Sequence, residues 1–225
     1  MRKECMMSKY KTIIFDLDGT LLNTLEDLTD STNYALAQFG MPVRSIEEVR
    51  TFVGNGIRKL IERAVPEGTD LEMVEQVFTC FRFYYTDHCN CKTGLYPGVR
   101  ELLLRLKEVG FSLAIVSNKA HPAVEALREL YFADVITVAL GEREAEGIRK
   151  KPAPDMVELA LQQLGSAKAE ALYIGDSEVD RQTAANAGLD CLLVSWGFRE
   201  RSLLETLDAA GIADDAEAVW KWITR

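Results

Sequence analysis

Positive charge is in short supply in this chain. Lys and Arg number 26 against 35 Asp and Glu, a formal charge of −9. That balance argues against non-specific attachment to nucleic acid or to an anionic membrane. It leaves an anionic small molecule open, because a metal and a few local cations can reverse the field inside a pocket. Histidine is scarce too: His88 and His121 are the only two, and neither has a triad-like context. No apolar run is long enough to span a bilayer, and no apolar core follows Met1-Arg2-Lys3-Glu4-Cys5. The five cysteines (Cys5, Cys80, Cys89, Cys91, Cys191) are an odd number without recurring spacing, which reads as reduced thiols. His88-Cys89-Asn90-Cys91 lacks the second cluster that a zinc site needs. Internal repeats and low-complexity segments are absent. The expectation is a soluble, cytoplasmic protein, monomeric or homodimeric, with no nucleic-acid or membrane partner.

What is present is ordinary globular material. The 225 residues are 48% hydrophobic and 27% charged, enough for one generous domain or a core with a smaller second unit. The run Ile13-Ile14-Phe15 is apolar and largely β-branched, and ends in Asp16-Leu17-Asp18-Gly19-Thr20. This is the pattern of a buried strand entering a functional turn. Helical spacing follows at Leu25, Leu28, Ala35, Leu36 and Phe39, closed by Gly40 and Pro42. Ser45-Ile46-Glu47-Glu48 and Thr69-Asp70-Leu71-Glu72 are capping-box patterns, the second leading a long helix through Val74, Val77, Phe81 and Tyr84. Residues 22 to 90 thus predict a helical insert without strands. From Gly94 onward helices and strands alternate. Strands are expected at Phe111–Val116, Val135–Val138, Ala171–Ile174 and Cys191–Val194, with terminal helices completing the chain. Such alternation predicts an α/β fold with a parallel sheet covered on both faces. Ligands of such sheets bind beyond the carboxyl ends of the strands, where Asp16, Ser117 and Asp176 fall.

Four pieces therefore stand in order: Asp16-x-Asp18-Gly19-Thr20, Ser117-Asn118, Lys151-Pro152, and Gly175-Asp176-Ser177-x-x-Asp180. Singly, each has a structural explanation in turn chemistry, capping or solvated charge. Together they meet the needs of phosphoryl transfer, in which catalysis is positioning plus cancellation of charge. Carboxylates can seat a Mg²⁺ that offsets repulsion between an anionic nucleophile and the phosphate. Lys151 offers a second fixed positive charge and Ser117 a hydroxyl donor. Asp16 can attack phosphorus to form an aspartyl-phosphate, while Asp18 can protonate the leaving oxygen and later activate water.

The four motifs resemble those of the haloacid dehalogenase superfamily, specifically its phosphatases, from Ile13 to about Arg199. The resemblance implies a Rossmann-like core with sheet order 5-4-1-2-3 at residues 1–21 and 92–225, and an inserted all-helical cap at 22–91. It implies Asp16 as nucleophile, Asp18 as acid/base, and Ser117, Asn118 and Lys151 on the phosphate. Mg²⁺ would be held by Asp16, the backbone carbonyl of Asp18, and Asp176, with Asp180 a direct or outer ligand. Within the superfamily, Val53-Gly54-Asn55-Gly56, Lys150-Lys151-Pro152-x-Pro154 and Ser195-Trp196-Gly197-Phe198 are similar to the phosphoglycolate phosphatases, which implies a small phosphorylated metabolite such as 2-phosphoglycolate as substrate. Gly54 and Gly56 suit a loop whose backbone approaches a ligand, and Arg58 could meet a substrate carboxylate. Asp18 argues against a dehalogenase, which needs no acid/base there. Lys59, the only lysine between Lys11 and Lys92, makes a Schiff-base phosphonatase a weak alternative. A β-phosphoglucomutase-like mutase and a pyrophosphatase use the same core and stay open.

Overall fold

Four consecutive fully buried residues, Thr12–Phe15, form the central strand β1. A strand hidden on both faces has no polar side, and this one shows none after Thr12. The structure, a computed structural model, describes residues 8–225. Cys5 and the rest of the Met1–Cys5 stretch lie outside the described residues.

After β1 come β2 (Leu22–Asn23), α1 (Leu25–Gln38), α2 (Ile46–Phe52), α3 (Ile57–Ala64), α4 (Leu71–His88) and β3 (Gly94–Leu95). The alternating region then gives α5 (Val99–Glu108), β4 (Ser112–Ala120), α6 (His121–Phe132), β5 (Val138–Glu142) and α7 (Asp155–Leu164). It ends with β6 (Ala171–Gly175), α8 (Glu178–Ala187), β7 (Asp190–Val194), α9 (Arg201–Leu204), β8 (Gly211–Ala213) and α10 (Ala216–Ile223). The main sheet is parallel throughout, in the order β5-β4-β1-β6-β7-β8. Counted among the five expected core strands, that is 5-4-1-2-3. The sixth strand, β8, was expected to be helical. Its pairing with β7, Leu192 to Gly211 through Val194 to Ala213, extends the edge.

The chain divides into two units: the described chain up to Leu21 with Tyr96–Arg225, and Leu22–Leu95. The first holds the sheet. One core cluster joins Ile14, Val116, Tyr173 and Leu193 from the strands to Met156, Val157 and Ala160 of α7. Burying a large aliphatic side chain of this kind is worth about 1.5–3 kcal/mol. The second unit is mostly helical, but it also contains an antiparallel two-stranded ribbon, β2 against β3, where no strand was expected. Two-residue strands are too short to show a periodicity. The capping box at Ser45 forms with Glu48. At α4 the cap is Asp70, which accepts from Met73 N at 2.8 Å, rather than Thr69, whose hydroxyl donates to Pro66 O at 2.6 Å.

Two strand expectations need correction. Val135 and Ile136 bond back to Phe132 O at 2.9 and 2.8 Å, so that apolar run closes α6 and β5 starts only at Val138. β4 does not stop at Val116 but continues through Ser117, Asn118 and Lys119 to Ala120. Among the described residues no helix is long and apolar enough to cross a membrane.

Candidate active site

Asp16 follows β1 directly, and its N–H extends the ladder to Ile174 O at 2.8 Å. Since β6 lies beside β1 with Phe15 opposite Ile174, Asp176 emerges next to Asp16. One carboxylate oxygen from each of Asp16, Asp176 and Asp180 lies within 4.8 Å of the other two, and all three residues are buried. Such a cluster requires positive charge. Lys151 supplies it: its Nζ is 2.7 Å from Asp16 Oδ1 and 2.8 Å from Asp180 Oδ1. The Tyr173 hydroxyl sits 3.3 Å from that Nζ and 3.2 Å from Asp180 Oδ1.

The continuation of β4 brings in three more side chains. Its register against β5 shifts between Val116 and Ala120, an irregularity that re-aims side chains. Gly141 of β5 leaves the room: a Cβ there would stand 2.5 Å from His121 Cα and 2.6 Å from Lys119 O. Ser117 Oγ accepts from Lys119 N at 3.2 Å, which leaves its hydroxyl proton for a ligand acceptor. The Asn118 amide pairs with the backbone of Lys151, Nδ2 to O at 3.1 Å and Oδ1 from N at 2.8 Å. Lys119 is buried as well, with Nζ 3.3 Å from Asp18 Oδ1.

Asp180 and Asp176 differ in how they are bonded. Asp180 Oδ2 accepts from Ser177 Oγ at 2.6 Å and from the N–H groups of Asp176 and Ser177 at 3.2 Å each. With Oδ1 on Lys151 and Tyr173, this carboxylate is fully engaged as the anchor of Lys151 and of the turn into α8. Asp176 Oδ2 accepts from Phe198 N at 2.6 Å. Among the described residues, Asp176 Oδ1 and Asp16 Oδ2 have no hydrogen-bond partner. Gly19 has φ +92°, and a Cβ there would lie 2.5 Å from Asp176 Oδ2, so glycine is required at that turn.

The charges do not balance. Four carboxylates (Asp16, Asp18, Asp176, Asp180) face two ammonium groups (Lys119, Lys151), and the Arg199 guanidinium near Asp176 is itself paired with Glu178 at 2.8 Å. Burial, then the charge of Asp180, holds the Asp16 carboxyl well above the ordinary carboxylate range. The same two causes push Asp176 up to about 7. Burial alone would depress the Lys151 ammonium, but Asp16 and Asp180 reverse this and hold it well above its usual value. Excess buried anion with oxygen-only donors fits a hard divalent cation of the Mg²⁺ type, with Asp16 and Asp176 as the side chains that have an oxygen to offer.

Sequence reasoning named Asp16, Asp18, Ser117, Asn118, Lys151, Asp176 and Asp180, and the structure gathers them at the carboxyl ends of β1, β4 and β6. It did not single out Lys119 or Tyr173. The signal for Lys119 was its place directly after Ser117-Asn118, in a segment that already carried two candidate residues. Tyr173 sits in an apolar run and gave no polar cue.

The remaining candidates lie in the Leu22–Leu95 unit. Gly54 and Gly56 both have positive φ, 122° and 84°, so the loop geometry depends on glycine. Asn55 Oδ1 accepts from Arg63 at 2.9 Å, and Arg63 also donates to Phe52 O at 2.7 Å. Arg58 forms an ion pair with Glu75, lies 3.8 Å from Glu62, and covers the Phe78 ring at 4.9 Å.

Residues 13–194 match the family model described as haloacid dehalogenase-like hydrolase. A phosphoglycolate phosphatase of Mannheimia succiniciproducens is 37% identical over 201 residues, covering 86% of this chain and 89% of that protein. One from Pseudomonas savastanoi pv. phaseolicola is 33% identical over 211 residues, 91% of this chain and 76% of the relative. Among solved structures, a Lactobacillus delbrueckii protein described as a candidate phosphoglycolate phosphatase superposes with a TM-score of 0.91 at 38% identity, covering 97% of this chain and 99% of the other. This chain belongs to the haloacid dehalogenase-like hydrolase family.

Proposed function

We propose that the protein is a Mg²⁺-dependent phosphomonoesterase that hydrolyses a small phosphorylated metabolite through an aspartyl-phosphate on Asp16, with 2-phosphoglycolate the leading substrate. The observation that carries this reading is Lys151 Nζ bridging Asp16 and Asp180 beside an unbalanced set of buried carboxylates. The names of the curated relatives support the choice of substrate.

Bound Mg²⁺ would supply positive charge against the phosphate oxygens, held by Asp16, Asp176 and the backbone carbonyl of Asp18. Asp16 forms the bond to phosphorus as the bond to the leaving oxygen breaks, and Asp18 gives that oxygen its proton. Water then attacks the phosphorus, its proton passes to Asp18, and the bond to Asp16 breaks to release inorganic phosphate. Ser117 donates its hydroxyl proton to a phosphate oxygen. Lys151 fixes Asp16 and offsets the charge that gathers around phosphorus. Asp180 keeps Lys151 in place.

Rates of phosphate release from 2-phosphoglycolate, pyrophosphate and sugar phosphates, with and without Mg²⁺, test the reading. Metal-dependent hydrolysis with 2-phosphoglycolate preferred is expected, and Asp16→Asn should abolish it. Parental rates in the Asp16→Asn protein would remove the nucleophile, and isomerised sugar phosphate without released phosphate would make the enzyme a mutase.

A further inference from the structure

We propose that Lys119 is a positioning residue for Asp18: it holds one oxygen of that carboxylate and so presents the other to the reacting oxygen. This rests on the phosphatase reading above.

The Lys119 side chain is 3% exposed, and an ammonium group is expensive to bury without a carboxylate to face. Asp18, at 16% exposure, is that carboxylate, with Oδ1 at 3.3 Å from Nζ. Among the described residues Oδ2 of Asp18 has no hydrogen-bond partner. The two oxygens are therefore inequivalent, one tethered and one available.

Terminal carboxylate torsions are broad, so an untethered Asp18 would spread over many orientations. Proton transfer needs a donor and acceptor about 2.6–3.2 Å apart, and a spread of orientations lowers the fraction that is productive. The tether acts in both steps: Oδ2 gives its proton to the leaving oxygen in the first and receives the proton of water in the second.

Lys151 cannot perform this task, because its ammonium is engaged by Asp16 and Asp180. The two buried lysines thus divide the site, Lys151 serving the nucleophile and Lys119 the acid/base. The shifted register of β4 against β5, with Gly141 giving room, carries Lys119 to its position.

A double-mutant cycle with Lys119→Met and Asp18→Asn tests this, using whichever phosphate ester the parent hydrolyses fastest. Lys119→Met should lower kcat about 10- to 100-fold, less than the roughly 10²- to 10⁴-fold that an acid/base itself contributes because Asp18 is still present, and leave KM within about threefold. Lys119→Arg should recover part of kcat. In the Asp18→Asn background, Lys119→Met should cause no further loss, since residues acting as one unit are not additive. The inference is overturned if Lys119→Met lowers kcat by the same factor in both backgrounds. It is equally overturned if KM alone rises, which would make Lys119 a substrate ligand. Failure of Lys119→Arg to restore kcat, together with a lowered melting temperature of Lys119→Met, would leave only a structural role. An active parent with an unchanged Lys119→Met overturns this inference alone; a parent without turnover of any ester overturns the phosphatase reading and this inference with it.

Discussion

Asn118 grips the peptide of Lys151 from both sides, Nδ2 donating to its carbonyl at 3.1 Å and Oδ1 accepting from its N–H at 2.8 Å. The two residues are 33 positions apart in the chain, and this pair fixes the backbone from which the bridging ammonium extends. Asn118→Ala leaves both Lys151 backbone groups without these partners in a buried place, at a cost of about 1–3 kcal/mol per unsatisfied group. The ammonium then loses its placement between Asp16 and Asp180. We expect kcat to fall by about tenfold or more, since small misplacements at a reacting centre are costly, with a lower melting temperature. Steady-state kinetics alongside thermal melting checks this; full kcat in Asn118→Ala would mean that other contacts place Lys151.

The buried carboxylates give the metal-free protein an unusual pH dependence. Asp176, pushed up to about 7 by burial and by Asp180, keeps a proton in the fold that the unfolded chain has released above about 4. Between those values the unfolded state binds fewer protons, so stability falls as pH rises, by up to a few kcal/mol. Exposed carboxylates do not obscure this above about pH 5, where they are already ionised. A divalent cation competes with that proton, so its stabilisation should increase with pH. Melting temperatures from pH 5.5 to 8 should fall in chelator, and the gain on adding Mg²⁺ should be larger at pH 8 than at pH 5.5. A gain that does not vary with pH would show that the cation does not displace this proton.

Much of this site was legible because its chemistry sits where apolar runs end. Ile13-Ile14-Phe15 stops at Asp16 and Ala171–Ile174 at Gly175-Asp176, and parallel pairing of β1 with β6 makes those two ends neighbours. β4 was harder to read. Polarity at Ser117 resembles a strand end, yet the strand continues for three more residues because the register shift and Gly141 make room for them. Lys119 was passed over for the same reason, since a lysine beyond a strand reads as solvated while this one is buried. β8 has three residues, Gly211-Ile212-Ala213, and no period can be drawn from three. The pairing of Arg58 with Glu75 was not legible, because the two are 17 residues apart and a helix-spacing search does not reach that far.

Asp27 is the buried carboxylate of the Leu22–Leu95 unit that the proposed reaction does not use. It accepts from Lys92 N at 3.0 Å on both oxygens, from Thr93 N at 2.8 Å, and from the Thr93 hydroxyl at 2.8 Å. These bonds tie the first turn of α1 to the segment that leads from α4 into β3, the two places where the chain enters and leaves this unit. Asp27→Ala removes the acceptor for two N–H groups, and about 1–3 kcal/mol is lost for each that finds no other partner. For a chain of this size each kcal/mol lowers the melting temperature by about 2–4 °C. Asp27→Asn keeps one carbonyl oxygen and should lose less. The loss should be local before it is global, with faster amide exchange at Lys92 and Thr93 than in β1, whose amides open only with the core. Hydrogen exchange followed by residue-resolved NMR reads this directly: unchanged protection at both amides in Asp27→Ala would mean that the carboxylate does not hold this segment.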